Sequence, residues 1–162
     1  MKKILFAFCF IALITSCKKE QQPQPTSKPA IEGGLSVTIQ KGQLSNDGIV
    51  YNQTPAWLSV WNTHGHVLDI WPTDALQGIT NDKTANTTIT ADYHNTQANG
   101  SYHLKLAPGT YMVFVILSLP AGATGQFAYS YKTFTVTSTS GYVAANKKFG
   151  CNVANAAFES WN

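Results

Sequence analysis

Two pairs of potential metal ligands are the residues of this chain that most readily suggest metal chemistry. His64 and His66 are separated by one residue in the stretch NTHGHV, at the tip of a predicted hairpin. Two imidazoles so spaced share one face of a strand, where a third ligand would complete a zinc or copper site. Asp92 and His94 have the same spacing. We favour the plainer interpretation, in which these are exposed turn histidines, and predict no metal cofactor.

Motifs of hydrolytic enzymes are missing from the sequence. It contains no G-x-S-x-G, no H-E-x-x-H and no glycine-rich phosphate loop, and its carboxylates are scattered among loop residues. We therefore predict that the protein is not an enzyme. A small metal-binding or hydrolytic domain around His64 and His66 stays open as an alternative.

Three tryptophans lie close together in the stretch AWLSVWNTHGHVLDIW. On a strand, Trp57 and Trp61 point to the same face. A two- or four-residue turn after them would join both to Leu68 and Ile70 on one apolar face. A three-residue turn would instead place them beside Trp71 on an exposed aromatic surface, which stacks on sugar rings or on a protein partner. We favour Trp57 and Trp61 as core, because large aromatic side chains most often serve packing.

The N-terminal residues have the layout of a secretory signal peptide. Lys2 and Lys3 supply positive charge, and an almost unbroken apolar run extends to Ile14. This run is too short to cross a membrane, because a spanning helix needs about 20 apolar residues. The composition then changes abruptly at Cys17, after which Lys, Gln and Pro follow.

The residues Ile14-Thr15-Ser16-Cys17 resemble the lipobox of bacterial lipoproteins. The resemblance implies cleavage between Ser16 and Cys17, so that residues 1–16 are removed as the signal peptide. It also implies a diacylglyceryl group on the sulfur of Cys17 and an acyl chain on its new N-terminus. Two or three such chains hold a protein on a membrane stably. We therefore expect a protein anchored by lipid in the bacterial cell envelope.

Residues 17–30 are predicted to form a flexible linker that begins with the lipidated cysteine. Lys18 to Ala30 consist of Lys, Glu, Gln, Pro, Ser and Thr with one Ala, so they cannot bury enough apolar surface to fold. Lys18 stands where an aspartate would mark inner-membrane retention in proteobacterial lipoproteins, which implies the outer membrane. The stretch CKKE is similar to short export signals of surface lipoproteins in Bacteroidetes-type bacteria, so periplasmic and surface orientations both stay open.

The rest of the chain, residues 31–162, has the pattern of an all-β domain. Apolar residues alternate with polar ones in segments such as GLSVTIQ and TTITADY, and Gly or Pro turn signals separate eight or so such segments. No helical i, i+3, i+4 pattern persists. We predict an antiparallel two-sheet β-sandwich that is monomeric. Cys151 has no disulfide partner once Cys9 leaves with the signal peptide, and we predict that it is a buried small hydrophobe.

The stretch NGSYHLKLAPGTYMVFV, Asn99 to Val115, resembles a hairpin of transthyretin-like and carboxypeptidase-regulatory-like sandwich domains. Alternation places Tyr102 and Leu104 on one face, and Pro108-Gly109 is expected to form the tight turn. The resemblance implies a sandwich fold and an accessory, non-catalytic role. It transfers no ligand site to this chain.

Charge and composition narrow the function. All 11 basic residues are lysines, and residues 31–162 carry six of them against seven acidic residues, so the domain is close to neutral. A nucleic-acid partner would require a basic stripe, which we therefore do not expect. We predict a non-enzymatic envelope lipoprotein for binding or structural support, with a glycan or an envelope protein as partner. The alternative of another class is a carbohydrate-binding module that uses Trp57, Trp61 and Trp71.

Overall fold

The computed structural model describes residues 33–117, 128–139, 141–151 and 161–162. Within these ranges the chain forms eleven strands and one four-residue helix, so the predicted all-β class is confirmed. The elements in chain order are β1 (Gly34–Ser45), β2 (Gly48–Gln53), β3 (Ala56–Asn62), β4 (Leu68–Asp69), α1 (Pro72–Ala75), β5 (Ile79–Asp82), β6 (Thr87–Thr90), β7 (Tyr93–Gln97), β8 (Ser101–Lys105), β9 (Gly109–Leu117), β10 (Tyr129–Val136) and β11 (Tyr142–Phe149).

The strands form two sheets of four strands and one of three. In sheet A, β1 lies between β11 on one edge and both β8 and β2 on the other. Sheet B has the strand order β10-β9-β3-β7, and the small sheet C has the order β4-β5-β6. The predicted signal peptide 1–16, the linker 17–30 and the lipidation residue Cys17 lie outside the described residues. No helix within the described ranges is long and apolar enough to cross a membrane.

One strand pair departs from the antiparallel prediction. β1 and β11 run parallel, with Gly34 opposite Tyr142 and Lys41 opposite Phe149. A turn between consecutive strands imposes antiparallel pairing, but these two strands are at opposite ends of the domain in sequence and no turn joins them. The other strand pairs in the described part of the chain are antiparallel.

A main hydrophobic cluster combines buried side chains of both four-stranded sheets. Sheet A contributes Leu35, Val37, Ile39, Tyr102, Leu104, Ala145 and Phe149. Sheet B contributes Ala56, Leu58, Val60, Tyr111, Val113, Val115, Leu117 and Val136. The period of two in each strand is what turns these residues to one side, as the alternation of the sequence predicts.

A buried tyrosine also joins the two sheets. The hydroxyl of Tyr102, on β8 of sheet A, donates a hydrogen bond to the carbonyl of Ala56 on β3 of sheet B. The same oxygen accepts the N–H of Gln97 on β7, at 3.0 Å. Burial raises the pKa of the Tyr102 hydroxyl. The hydroxyl therefore stays neutral and serves as a polar link across an apolar layer.

Two predicted hairpins do not form. β8 pairs with β1 in sheet A and β9 pairs with β3 and β10 in sheet B, so the Pro108-Gly109 connection carries the chain from one sheet to the other. β3 does not pair with β4, which belongs to sheet C. A period of two fixes which side chains share a face, but the partner of a strand depends on tertiary packing.

The segment from residue 63 to residue 92 covers the outward face of sheet B, which is the face turned away from the main cluster. A second cluster lies between them, made of buried Trp61, Ala75, Phe114 and Ile116 with Leu68, Ile70, Leu76, Ile89, Ala91 and Met112 around them. β3 is thus packed on both faces over part of its length. This second layer decides which tryptophans reach solvent.

Candidate functional site

The three tryptophans have three different environments. Trp61 has no exposed surface and lies in the second cluster, whereas Trp57 is 38% exposed and Trp71, just before α1, is 58% exposed. The hypothesis of an exposed surface made by all three tryptophans is therefore wrong. The prediction that Trp57 and Trp61 both belong to the core is right for Trp61 and wrong for Trp57. The cause is the segment over the outward face of sheet B, which covers the Trp61 end of β3 and leaves the Trp57 end open.

Trp57 forms a stacked pair with a histidine of the neighbouring strand. Strands β3 and β7 pair with Ser59 opposite His94 and Trp57 opposite Thr96. Trp57 and His94 are therefore diagonal neighbours on the same face, within reach of each other's rings. Their ring centroids lie 5.8 Å apart and the ring planes differ by 21°. We call Trp57 and His94 the aromatic pair.

Hydrogen bonds and close packing hold His94 in this position. The buried hydroxyl oxygen of Ser59 lies 2.9 Å from Nδ1 of His94 and 2.8 Å from the carbonyl oxygen of Ala75. Gly78 lies against the imidazole, because a Cβ at that residue would be 2.9 Å from Cγ of His94. Its φ of +71° is also one that few other residues adopt. The imidazole is thus fixed on one edge and exposed at the surface.

Two tyrosines are exposed at the opposite edge of sheet B. Tyr129 and Tyr131 on β10 are 37% and 50% exposed, and the ring of Tyr129 stacks on Phe114 at 5.8 Å. Tyr129 pairs with Ile116 on β9, which in turn pairs with Trp57 on β3. Trp57 and Tyr129 therefore stand in one row across the sheet, two strand spacings or roughly 9.5 Å apart.

The two candidate metal ligands, His64 and His66, occur in a turn, as the plainer interpretation predicted. His64 has a positive φ of 49°, and its N–H donates to Oδ1 of Asn62 at 2.9 Å, so His64 and His66 are not on one face of a strand as the metal hypothesis required. Nδ1 of His66 lies 2.5 Å from Oδ2 of Asp82. In the described ranges no three His, Cys, Asp or Glu residues are grouped as metal ligands would be.

Asp82 is a buried carboxylate that organises this turn region. Its Oδ1 accepts the backbone N–H groups of Ala85, at 3.0 Å, and Thr84, at 2.8 Å. The hydrogen bond from Ala85, followed by that from His66, holds the pKa of Asp82 below its ordinary value. The charged carboxylate is thus part of the local fold, with its acceptor sites already used.

A polar cavity of about 330 Å³ lies on sheet C beside this turn. It is lined by Asp69, Asn81, Asp82, Lys83, Asn86, Thr87 and Thr88. Lys83 and Asp69 form an ion pair across it, with Nζ 3.3 Å from Oδ1. The cavity is lined largely by groups that already bond one another.

The remaining predicted residues are not brought together. Asp92 accepts the backbone N–H of Asn62 at 2.5 Å. The fourth histidine of the sequence, His103 on β8, has an edge contact with the ring of Tyr142. Cys151 is partly exposed, so the prediction of a buried residue is wrong. Sequence reasoning noted His94 but missed its partners Trp57 and Ser59. Alternation alone does not reveal that β7 pairs with β3.

No protein-family model, curated protein or solved structure matches this chain.

Proposed function

We propose that this chain is a lipoprotein of the bacterial envelope whose folded domain binds a partner without catalysing a reaction. Lipid on Cys17 would anchor it at the outer membrane, facing the periplasm or the cell surface. The charged start, the apolar run to Ile14 and the small residues before Cys17 support this part of the proposal. Attachment by lipid alone would leave the domain free to meet partners along the membrane.

We further propose that the domain, residues 31–162, is a monomeric β-sandwich. A main cluster shared by sheets A and B and the hydrogen bonds of Tyr102 to sheet B support this architecture. Stacked sheets that share one core are the usual way for antiparallel sheets to bury their apolar faces. Such a sandwich is a rigid support for a binding surface on its outer side.

The aromatic pair is the observation that carries the binding proposal. Trp57 exposes more than a third of a large aromatic side chain on a face where its neighbour Trp61 is completely buried. Its ring orientation is set by contact with His94, which Ser59 holds in turn. Aromatic side chains fixed in advance and exposed are typical of binding sites, because little side-chain entropy is lost on binding.

Envelope fractions provide a test. The purified lipidated protein is immobilised in detergent and exposed to solubilised envelope from cells that lack it. Trp57→Ala should reduce retention at least about tenfold, since aromatic anchors at the centre of a contact commonly contribute 2 kcal/mol or more. Trp71→Ala is the matched control, because it removes an exposed indole elsewhere. Equal retention by wild type and Trp57→Ala would contradict the proposal.

Carbohydrate binding is the second candidate function, and the exposed indole favours it. Indole faces pack against the C–H groups of sugar rings as they do against other apolar surfaces. Trp57 also lies beside a polar group, on His94, that would bond a hydroxyl. The metal-binding or hydrolytic alternative has less support, since His66 bonds Asp82 and His64 lies in a turn.

A further inference from the structure

We propose that the aromatic pair is a carbohydrate site in which a sugar ring packs on Trp57 and one of its hydroxyls donates a hydrogen bond to Nε2 of His94. This inference rests on the proposed binding function and specifies its ligand class. The inference depends on which ring nitrogen of His94 carries a proton, and the surrounding hydrogen bonds determine this.

The hydroxyl proton of Ser59 fixes that protonation. The carbonyl oxygen of Ala75 has no proton to give and lies 2.8 Å from Oγ of Ser59. A contact this short between two oxygens needs a hydrogen between them, and the single proton of Ser59 is the one able to occupy it. Oγ of Ser59 can then interact with His94 only as an acceptor, at 2.9 Å from Nδ1. Nδ1 of His94 therefore carries a proton.

A neutral imidazole that is protonated on Nδ1 has a lone pair on Nε2. His94 is exposed, and its Nε2 has no hydrogen-bond partner in the described part of the chain. The site thus presents a fixed acceptor next to an apolar indole surface. Ser59 is completely enclosed, so water does not compete for the Nδ1 bond that maintains this arrangement.

The ligand must supply a hydrogen-bond donor next to a flat apolar face. Sugars have this combination, because their ring hydroxyls project from the edge while axial C–H groups form apolar faces. A purely apolar ligand would leave Nε2 desolvated without a partner, which is unfavourable. Gly78 contributes by leaving room for the imidazole, since a Cβ there would lie 2.9 Å from Cγ of His94.

The tautomer is measured first, by the ¹⁵N chemical shifts of the His94 imidazole in the lipidated protein in micelles near pH 8. The proposal predicts protonated Nδ1 and unprotonated Nε2. Ser59→Ala should return His94 to the mixture of tautomers found in free histidine. A proton on Nε2 in the wild type would overturn the inference.

Ligand class is measured next, with soluble hexasaccharides of glucose, xylose and mannose and with peptidoglycan disaccharides, in a detergent without a sugar headgroup. At least one should bind, with Trp57→Ala weakening it about tenfold and His94→Ala about three- to tenfold, as loss of stacking and of one hydrogen bond implies. Trp57→Phe should retain part of the affinity, and Trp71→Ala all of it. A melting curve of each variant shows that it is folded.

Chemical treatment of the envelope fraction separates this inference from the proposed function. Periodate cleaves the vicinal diols of sugars, whereas a protease removes protein. If retention that depends on Trp57 is lost after periodate and survives the protease, the ligand is a carbohydrate. If it survives periodate and is lost after the protease, the inference is overturned although the binding function stands. The inference is also overturned if the protein binds none of the oligosaccharides and its retention of envelope material is not reduced by periodate.

Discussion

Trp57 and Trp61 stand four residues apart on β3 and point to the same face, yet one is 38% exposed and the other completely buried. The indole N–H of Trp61 is buried and has no acceptor within the described residues. Trp61 therefore contributes packing in the second cluster and no hydrogen bond. Trp57 contributes less to packing, because more than a third of its surface remains in water.

These two environments predict that replacement of each tryptophan by alanine will lower the stability of the protein to different extents. Trp61→Ala should lower the free energy of unfolding by about 3–5 kcal/mol, because it removes buried apolar surface and leaves a cavity. Trp61→Phe should cost less, since it keeps one ring and loses no hydrogen bond. Trp57→Ala should cost clearly less, about 1–2 kcal/mol, because more than a third of that side chain is already in water. Guanidinium unfolding measures all three, and similar losses for Trp57→Ala and Trp61→Ala would contradict the assignment.

Asp82 makes the fold sensitive to acid. Its pKa in the folded protein lies below the ordinary value, so its stabilising effect is complete above about pH 4 and is lost as the pH falls through the folded pKa. Asp82→Asn should therefore be less stable than wild type at pH 7 and approach it at pH 2–3. Asp47→Asn, at an exposed turn, is the control. Thermal melts of wild type and of both variants at several pH values measure these differences in stability. A difference between Asp82→Asn and wild type that is the same at every pH would contradict the prediction.

At the scale of the elements, two glycines that precede strands have the same backbone conformation but different surroundings. Gly100, before β8, and Gly141, before β11, have nearly the same φ, +61° and +60°. A Cβ on Gly100 would lie 2.1 Å from the carbonyl oxygen of Thr54, whereas a Cβ on Gly141 meets nothing within 4 Å. Comparison of these two glycines thus separates the cost of a left-handed backbone from the cost of a steric clash.

Alanine at each position should reveal that difference. Gly141→Ala should cost about 1–2 kcal/mol, the cost of a left-handed conformation for a residue with a Cβ. Gly100→Ala should cost clearly more, because β8 or the Thr54 carbonyl must move. Equal losses of unfolding free energy in urea would show that the Thr54 contact is not as close as described.

The strands also show how far sequence alone predicts this fold. Alternation correctly placed Leu35, Val37 and Ile39 of β1 on one buried face. It did not predict that β8 and β9 enter different sheets, because a Pro-Gly connection suits both a hairpin and a crossing between sheets. It placed β6 within the segment TTITADY, but it did not predict that β4, β5 and β6 form a separate small sheet, because alternation does not identify the partner of a strand. The sequence did single out Trp57 as a possible binding residue, but not its contact with His94, which arises only through the pairing of β7 with β3.

At the scale of the whole molecule, Tyr102 reports on how sheets A and B are joined. Tyr102→Phe removes the hydroxyl and leaves the buried Ala56 carbonyl and the Gln97 N–H without this partner. The free energy of unfolding should fall by about 1–3 kcal/mol. Tyr142→Phe, on an exposed tyrosine, should have almost no effect. A neutral Tyr102→Phe substitution would contradict a polar link between the sheets.

The location proposed for the protein depends on one cysteine. Cys17 follows an apolar run and two small residues, and the linker after it is too polar to hold a membrane by itself. Cys151 is the matched control, because it is a second cysteine that would remain after removal of the signal peptide. The two cysteines thus permit a clean comparison of lipid attachment.

Metabolic labelling with radioactive palmitate tests the central claim most directly. The full-length protein and its Cys151→Ser variant should incorporate label and be processed to the mature length. Cys17→Ser should incorporate none and keep its N-terminal segment. Label in the Cys17→Ser protein, or none in the wild type, would contradict the account of a lipid-anchored envelope protein.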